Sequence, residues 1–307
     1  MRPRTRNDFT IAILCALPIE SEAVEALFDE TYGRLGKSYG KAAGDPNAYT
    51  NGRIGKHNIV LCYLPGMGKN SAASVAAGLR ASYLRIELLL LVGICGGAPS
   101  SATRDIHLGD VIISDSVVEY GFGGLYSNEC ERKSHVDDSR ERKDKQIRGL
   151  LSNIRGSQSR GEFGDGVLNC LEILKRDEAK WYHPGVADIL FKTSHLHSQH
   201  IVRQRDATKA SRPSIHVGAF GSRDAVLKSA RHRDEVVRRA GVIGFEMEGA
   251  GVWNNYYPCV IIKGVCDYAD SHKSKEWQAY AAATAASAAK TFLGYWGREN
   301  GQYARLL

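Results

Sequence analysis

The carboxylates that follow apolar segments are the residues most able to do chemistry. Gly244-Phe-Glu-Met-Glu-Gly-Ala250 sets Glu246 and Glu248 two positions apart behind a short apolar stretch. In extended chain both would point to one side, where they could accept hydrogen bonds from a ribose diol. A charge pair at a helix N-terminus is the alternative. Ile261-Ile-Lys-Gly-Val-Cys-Asp267 ends a second apolar run on an acid. Burial can raise the pKa of such an aspartate and fit it for general-acid work. It can equally cap the next helix, as can Asp270. Ala16-Leu-Pro-Ile-Glu-Ser-Glu22 brings Glu20 and Glu22 shortly after a third run. Either could orient a water, or face solvent on a helix.

Glycines mark two further places. Pro65-Gly-Met-Gly-Lys69 lies between an apolar run and a small-residue helix. Gly66 and Gly68 permit a tight turn, and the N–H groups of the helix start can hold an anion or a sugar oxygen. This is not a Walker A loop, because Tyr63 and Asn70 stand where that pattern needs Gly and Ser/Thr. Val92-Gly-Ile-Cys-Gly-Gly97 closes the most apolar run, and its glycines allow a ligand close to the backbone or simply a bend. His195, His197 and His200 form an HxHxxH cluster, but no carboxylate or cysteine completes an obvious metal set. No Gly-x-Ser-x-Gly elbow is present.

These residues need a scaffold, and the rest of the sequence describes one. Apolar runs predict strands at Phe9–Ala16, Asn58–Leu64, Ile86–Val92, Asp110–Ser114 with Val117–Glu119, Ser214–Phe220, Gly241–Phe245 and Pro258–Cys266. Helices are predicted at about Glu20–Phe28, Asn70–Tyr83 and Trp277–Leu293, the last rich in alanine. Strands alternating with helices make an α/β protein with a mostly parallel or mixed sheet. Ligands in such sheets sit at the carboxyl ends of strands, where the motifs above fall. The stretch 126–166 is polar and doubly charged, an excursion holding one helix near Ile147–Ile154. One domain over 1–307 is expected.

Composition narrows the class. Hydrophobic residues make up 43% and charged residues 24%, as in an ordinary globule. The longest apolar run, Leu88–Gly97, falls far short of the ~20 residues a bilayer span needs. The basic start Met1–Asn7 has no membrane-length apolar segment or small-residue cleavage site after it, so secretion is not expected. Seven cysteines include no CxxC pair, and five lie inside apolar runs, as buried thiols do. A reducing, cytoplasmic setting is expected. The net charge of +7 gathers in 129–160 and 201–240, as solvated faces or as a rim steering an anionic ligand. Nucleic acid is disfavoured, since no aromatic residues interleave with these bases as stacking platforms.

Taken in order, the five motifs resemble the nucleoside phosphorylase/nucleosidase superfamily, from Phe9 to about Leu293. The likeness is most specific at Phe245–Gly251 (FEMEGAG) and Gly264–Lys273 (GVCDYADSHK). With His183–Phe191 (HPGVADILF), the latter is similar to the branch found as the N-terminal module of fungal receptor-like proteins. The resemblance implies a three-layer α/β/α fold, Met247 under a ribose and Glu248 on its hydroxyls. It implies Asp267 as the acid that protonates a purine at N7, and Glu20 as the glutamate that activates water, with Glu22 the fallback. Gly66–Gly68 and Ile94–Gly96, Cys95 included, would line ribose and base, with Phe245 and Glu246 beside them. Ser222–Val226 falls where the base-proximal loop begins, and Arg223 there is a candidate for a phosphate.

Phosphorylases of that superfamily carry a Gly-Asp-Pro turn after the first strand and an arginine before a Val-Gly-Ser/Thr turn. Here Leu17-Pro-Ile-Glu20, Leu91 and Ile94 hold those places, which favours water as nucleophile. The implied activity is hydrolysis of a purine, adenosine-type, nucleoside or nucleotide without cofactor or metal. The alternatives are phosphorolysis, action on ATP or AMP with bases near Arg203–Arg212 on the phosphates, and a silent nucleotide-sensing module of a larger receptor. A homodimer or larger homo-oligomer is the implied assembly.

Overall fold

A computed structural model describes residues 2–34, 39–101, 104–120, 139–141, 144–191, 200–205, 212–253 and 257–297. The first half carries β1 (Ile11–Cys15), α1 (Pro18–Ala26), β2 (Glu30–Gly33), β3 (Tyr49–Ile54), β4 (His57–Tyr63), α2 (Lys69–Ser82), β5 (Leu88–Gly97), β6 (Ser100–Ser101), β7 (Arg104–Asp105) and β8 (Val111–Glu119). After β9 (Ser139–Glu141), two helices follow, α3 (Lys145–Arg155) and α4 (Ser157–Asp177). The remainder holds β10 (Asp188–Phe191), β11 (His200–Arg203), β12 (Ile215–Ser222), α5 (Ala230–Ala240), β13 (Gly244–Glu246), α6 (Gly249–Val252), β14 (Cys259–Asp267) and α7 (Gln278–Tyr295). His195 and His197 lie outside the described residues, and His200 begins β11.

The main sheet is mixed and runs β13-β12-β8-β14-β5-β1-β4-β3-β2, with β9 on β8. Its centre is parallel: β1 lies between β4 and β5, and β14 joins the other edge of β5. β1, β5 and β14 are buried on both faces, as their unbroken apolar runs require. β13 pairs with both β12 and β5, so β5-β14-β8-β12-β13 closes on itself. Closure draws the carboxyl ends of β5, β12, β13 and β14 toward one place, and the candidate residues sit on these ends.

The alanines of α7 are almost all buried, and that helix packs on β14 and β5 with α1 and α4 alongside. Small side chains let it approach so closely that a Cβ on Gly264 would meet the Ala281 carbonyl. A second helical group, α2 with α6, packs against other strands of the sheet.

Two expectations need correction. The stretch predicted to leave the core with one helix holds α3 from residue 145 and the start of α4. Ile147, Leu151, Ile154 and Phe163 are buried in the main core. The edge strands β2 and β3 were not predicted, nor was the β10–β11 hairpin.

Candidate active site

Glu20 stands at the third position of α1 and is 2% exposed. Its Oε2 accepts the Ala16 and Leu17 N–H groups at 2.8 and 2.9 Å, which caps the helix, and its Oε1 accepts Ile94 N–H at 2.8 Å. The carboxylate thus ties the end of β1 to the end of β5. A carboxylate has about four acceptor sites, so three backbone donors leave one for a water. Space for the carboxylate exists because residue 93 is glycine; a Cβ there would run into it. Burial raises the pKa of Glu20, against the opposing charge of Lys263. Glu22 is exposed and pairs with Lys180 at 2.9 Å, away from this cluster.

Glu248 sits at the N-terminus of α6, 4% exposed. Its Oε1 accepts Gly68 N–H at 3.1 Å, and its Oε2 lies 3.4 Å from Lys263 Nζ. Gly68 takes φ +107°, open to glycine, and the Asp224 carboxylate fills the space a Cβ would need. The chain leaves extended conformation after Glu246, so the two glutamates do not simply share a strand face. Glu246 turns its Oε2 back onto the N–H groups of Glu248 and Gly249, at 2.9 and 2.7 Å. Burial, aided by the neighbouring Glu248 charge, pushes its carboxyl up to about 7.

Lys263 is what these carboxylates share, and sequence reasoning passed over it. It is 1% exposed in the middle of β14, and its pKa is held above the ordinary value by Glu248, Glu20 and Glu246 despite burial. A lysine inside an apolar strand is itself the signal, because an unpaired buried ammonium is too costly to keep.

Asp267 ends β14, just past an irregularity in the pairing with β5 that sets it opposite Gly96. Its Oδ1 accepts Ala269 N–H at 2.8 Å and its Oδ2 accepts Lys273 Nζ at 3.0 Å. Ala269 adopts φ +52°, and a Cβ on Gly96 would press on both Ala269 and Asp267. Three residues of β14 therefore separate Lys263, beside the carboxylate cluster, from Asp267, along a strand rising ~3.3 Å per residue.

The other candidates surround this line. Ser222 is fully buried and accepts Ala250 N–H at 3.0 Å. Phe245 packs edge-on to Tyr120 at 5.9 Å, and Arg223 lies over the same ring. Cys95 is buried and its thiol pKa is pushed up by burial. Met247 is half-buried, while Gly66 and Val226 are exposed. Leu91 is fully buried in the core. Arg203, Arg205 and Arg212 are engaged elsewhere, with Asp105, Asp110 and Asp165. Among the described residues no group of three or more His, Cys, Asp and Glu could hold a metal, and no helix is long and apolar enough to cross a membrane.

Known proteins share this fold. The 5′-methylthioadenosine/S-adenosylhomocysteine nucleosidase of Helicobacter pylori, solved in complex with a substituted pyrrolidin-3-ol, superposes with a TM-score of 0.57 at 14% identity, over 94% of this chain and 99% of that one. The futalosine hydrolase of the same species gives 0.56 at 14%, over 94% and 98%. A putative nucleosidase of the first kind from Borrelia burgdorferi, bound to adenine, gives 0.59 at 15%, over 93% and 99%. These likenesses show the fold. In sequence, the chain is 33% identical over 301 residues to a nucleotide-binding leucine-rich repeat (NLR)-like protein of Hyaloscypha variabilis; the match covers 94% of this chain and spans 29% of that protein's length. The family model described as the phosphorylase superfamily matches residues 10–294, which include Glu20, Glu248, Lys263 and Asp267, and the chain belongs to that superfamily.

Proposed function

We propose that this site hydrolyses the N-glycosidic bond of a purine, adenosine-type, nucleoside or nucleotide. The observation that carries the reading is three buried carboxyl groups, Glu20, Glu246 and Glu248, whose charges act on the buried ammonium of Lys263, with Glu248 3.4 Å from it. Phosphorolysis needs an anion to approach the sugar, and carboxyl groups that outnumber the one cation beside them oppose it, even with Glu246 partly protonated near neutral pH. Water is not repelled. Glu20, with one acceptor site free, takes a proton from that water as it attacks the sugar. Glu248 accepts from the ribose hydroxyls, and the surplus negative charge stabilises the cationic sugar that forms. Asp267 protonates N7, so that the purine leaves as a neutral base. The solved relatives, whose names include nucleosidase and hydrolase, support the same reaction class. The likeness to part of an NLR-like protein supports a role as one module of a larger receptor.

The test is release of free base from adenosine, inosine, guanosine, AMP and ATP by the wild type and by Glu20→Gln and Asp267→Asn. We expect release by the wild type and a loss of roughly 100-fold or more in each variant, the usual worth of a general acid or base. Ligand binding without release from any of the five would make the chain a sensor instead.

A further inference from the structure

In the reading above Asp267 must give a proton to the departing purine, yet donors hold both of its oxygens. Its Oδ2 accepts from the Lys273 ammonium at 3.0 Å and from the Cys266 thiol at 3.5 Å, and its Oδ1 from Ala269 N–H. An ammonium donates and never accepts, so the oxygen facing it has no proton of its own while the pair lasts. Lys273 does hold a proton to give. Its side chain is 33% exposed against 10% for Asp267, and both line a cleft of about 400 Å³ with Phe191, Asp270, His272 and Trp277. Solvent therefore reaches the lysine while the aspartate is largely shielded.

Among the described residues, the Cys266 thiol is the other titratable side chain that donates to Asp267. Burial pushes the Cys266 and Cys95 thiols up, which makes them weak acids. Asp270 is 3% exposed, its carboxyl is raised chiefly by burial, and its Oδ1 is taken by His272 N–H. The His272 ring is stacked on Phe191. Glu276, also on the cleft wall, accepts from the Ser274 hydroxyl. Arg233, beyond Asp270, donates to the Tyr268 carbonyl, and a guanidinium does not deprotonate.

We propose that Lys273 supplies, through Asp267, the proton that the leaving purine takes at N7. As the bond between the sugar carbon and the purine nitrogen breaks, its electron pair passes to the ring. The ammonium passes one proton to Asp267 Oδ2, and Asp267 hands that same proton to N7. The proton ends on the purine, and Asp267 returns to the carboxylate form. Lysine is left neutral and is recharged from water in the cleft. Lys273 acts through Asp267 and is a positioning residue. The proposal rests on the base-releasing activity proposed above.

Arginine separates proton supply from mere charge, since it keeps the cation and the hydrogen bond but releases no proton. The experiment compares wild type, Lys273→Arg, Lys273→Met and Asp267→Asn on adenosine and on 7-methyladenosine, each also as its 5′-monophosphate. The methylated ring already carries the positive charge and needs no proton. On adenosine we expect both lysine variants to lose roughly 100-fold in kcat, as a lost general acid does. On the methylated substrate the loss should stay within about threefold. Full activity in Lys273→Arg, or equal losses on both substrates, would overturn the relay while leaving the nucleosidase reading intact. No base released by the wild type from any of the four would overturn both.

Discussion

Lys263 faces three buried carboxylates, and that imbalance sets what each of them can do. Replacing it with methionine leaves Glu20, Glu246 and Glu248 without their cation. We expect Lys263→Met to lose about 3–5 kcal/mol of stability at neutral pH, the usual cost of breaking a buried pair. The loss should shrink at acidic pH as the raised carboxyls take up protons, which urea denaturation at two pH values would show. Glu246 has a separate signature. Its carboxyl is raised to about 7 in the folded protein, so between the ordinary glutamate value of ~4.3 and 7 the folded state binds more protons than the unfolded one. Its contribution to stability is complete below that window and is lost as pH rises through it. Glu246→Gln removes this loss, so its thermal midpoint should gain on the wild type between pH 4.5 and 8; a constant difference would contradict the assignment. The chemistry-bearing carboxylates were legible because each follows an apolar run. Their common partner was not, because no local pattern shows that a lysine in β14 meets side chains from α1, β13 and the start of α6.

At the scale of elements, the site depends on strands and helices approaching without side chains between them. Gly93 gives Glu20 its place on β5, and an added methyl would strike the carboxylate. We expect Gly93→Ala to cut base release by roughly 100-fold, as a displacement near 1 Å can. Gly264→Ala serves as the comparison. It pushes on the α7 backbone at Ala281, and should lower stability by about 1–3 kcal/mol. Kinetics and thermal unfolding of both variants check the pair. The central strands were readable from unbroken apolar runs, and the ends of β5 and β12 ran a few residues beyond the apolar stretch. β3 was hidden by Asn51-Gly52, which reads as a turn in isolation. In the fold Asn51 is fully buried and bonds to Tyr83, and the Phe28 ring packs where a Cβ on Gly52 would stand. α4 was hidden by its glycines Gly161, Gly164 and Gly166, while its stripe of Phe163, Val167, Leu171 and Leu174 is buried. Tertiary packing overrides local propensity at both places.

At the scale of the whole molecule, the excess of +7 charge coexists with a site whose own cluster is acidic. Arg203, Arg205 and Arg212, which the sequence offered for a ligand's phosphates, instead bind Asp105, Asp110 and Asp165. Arg203 also reaches the Tyr268 hydroxyl, so the same contacts brace the loop that carries Asp267. An acidic cluster that repels phosphate and accepts water is the central claim. It is tested most directly by running the reaction in ¹⁸O-labelled water with inorganic phosphate present and examining the sugar product. Free ribose, or ribose phosphate from a nucleotide, labelled at the carbon that bore the base is the expected result. Unlabelled ribose 1-phosphate would contradict it and make the chain a phosphorylase in spite of Glu20.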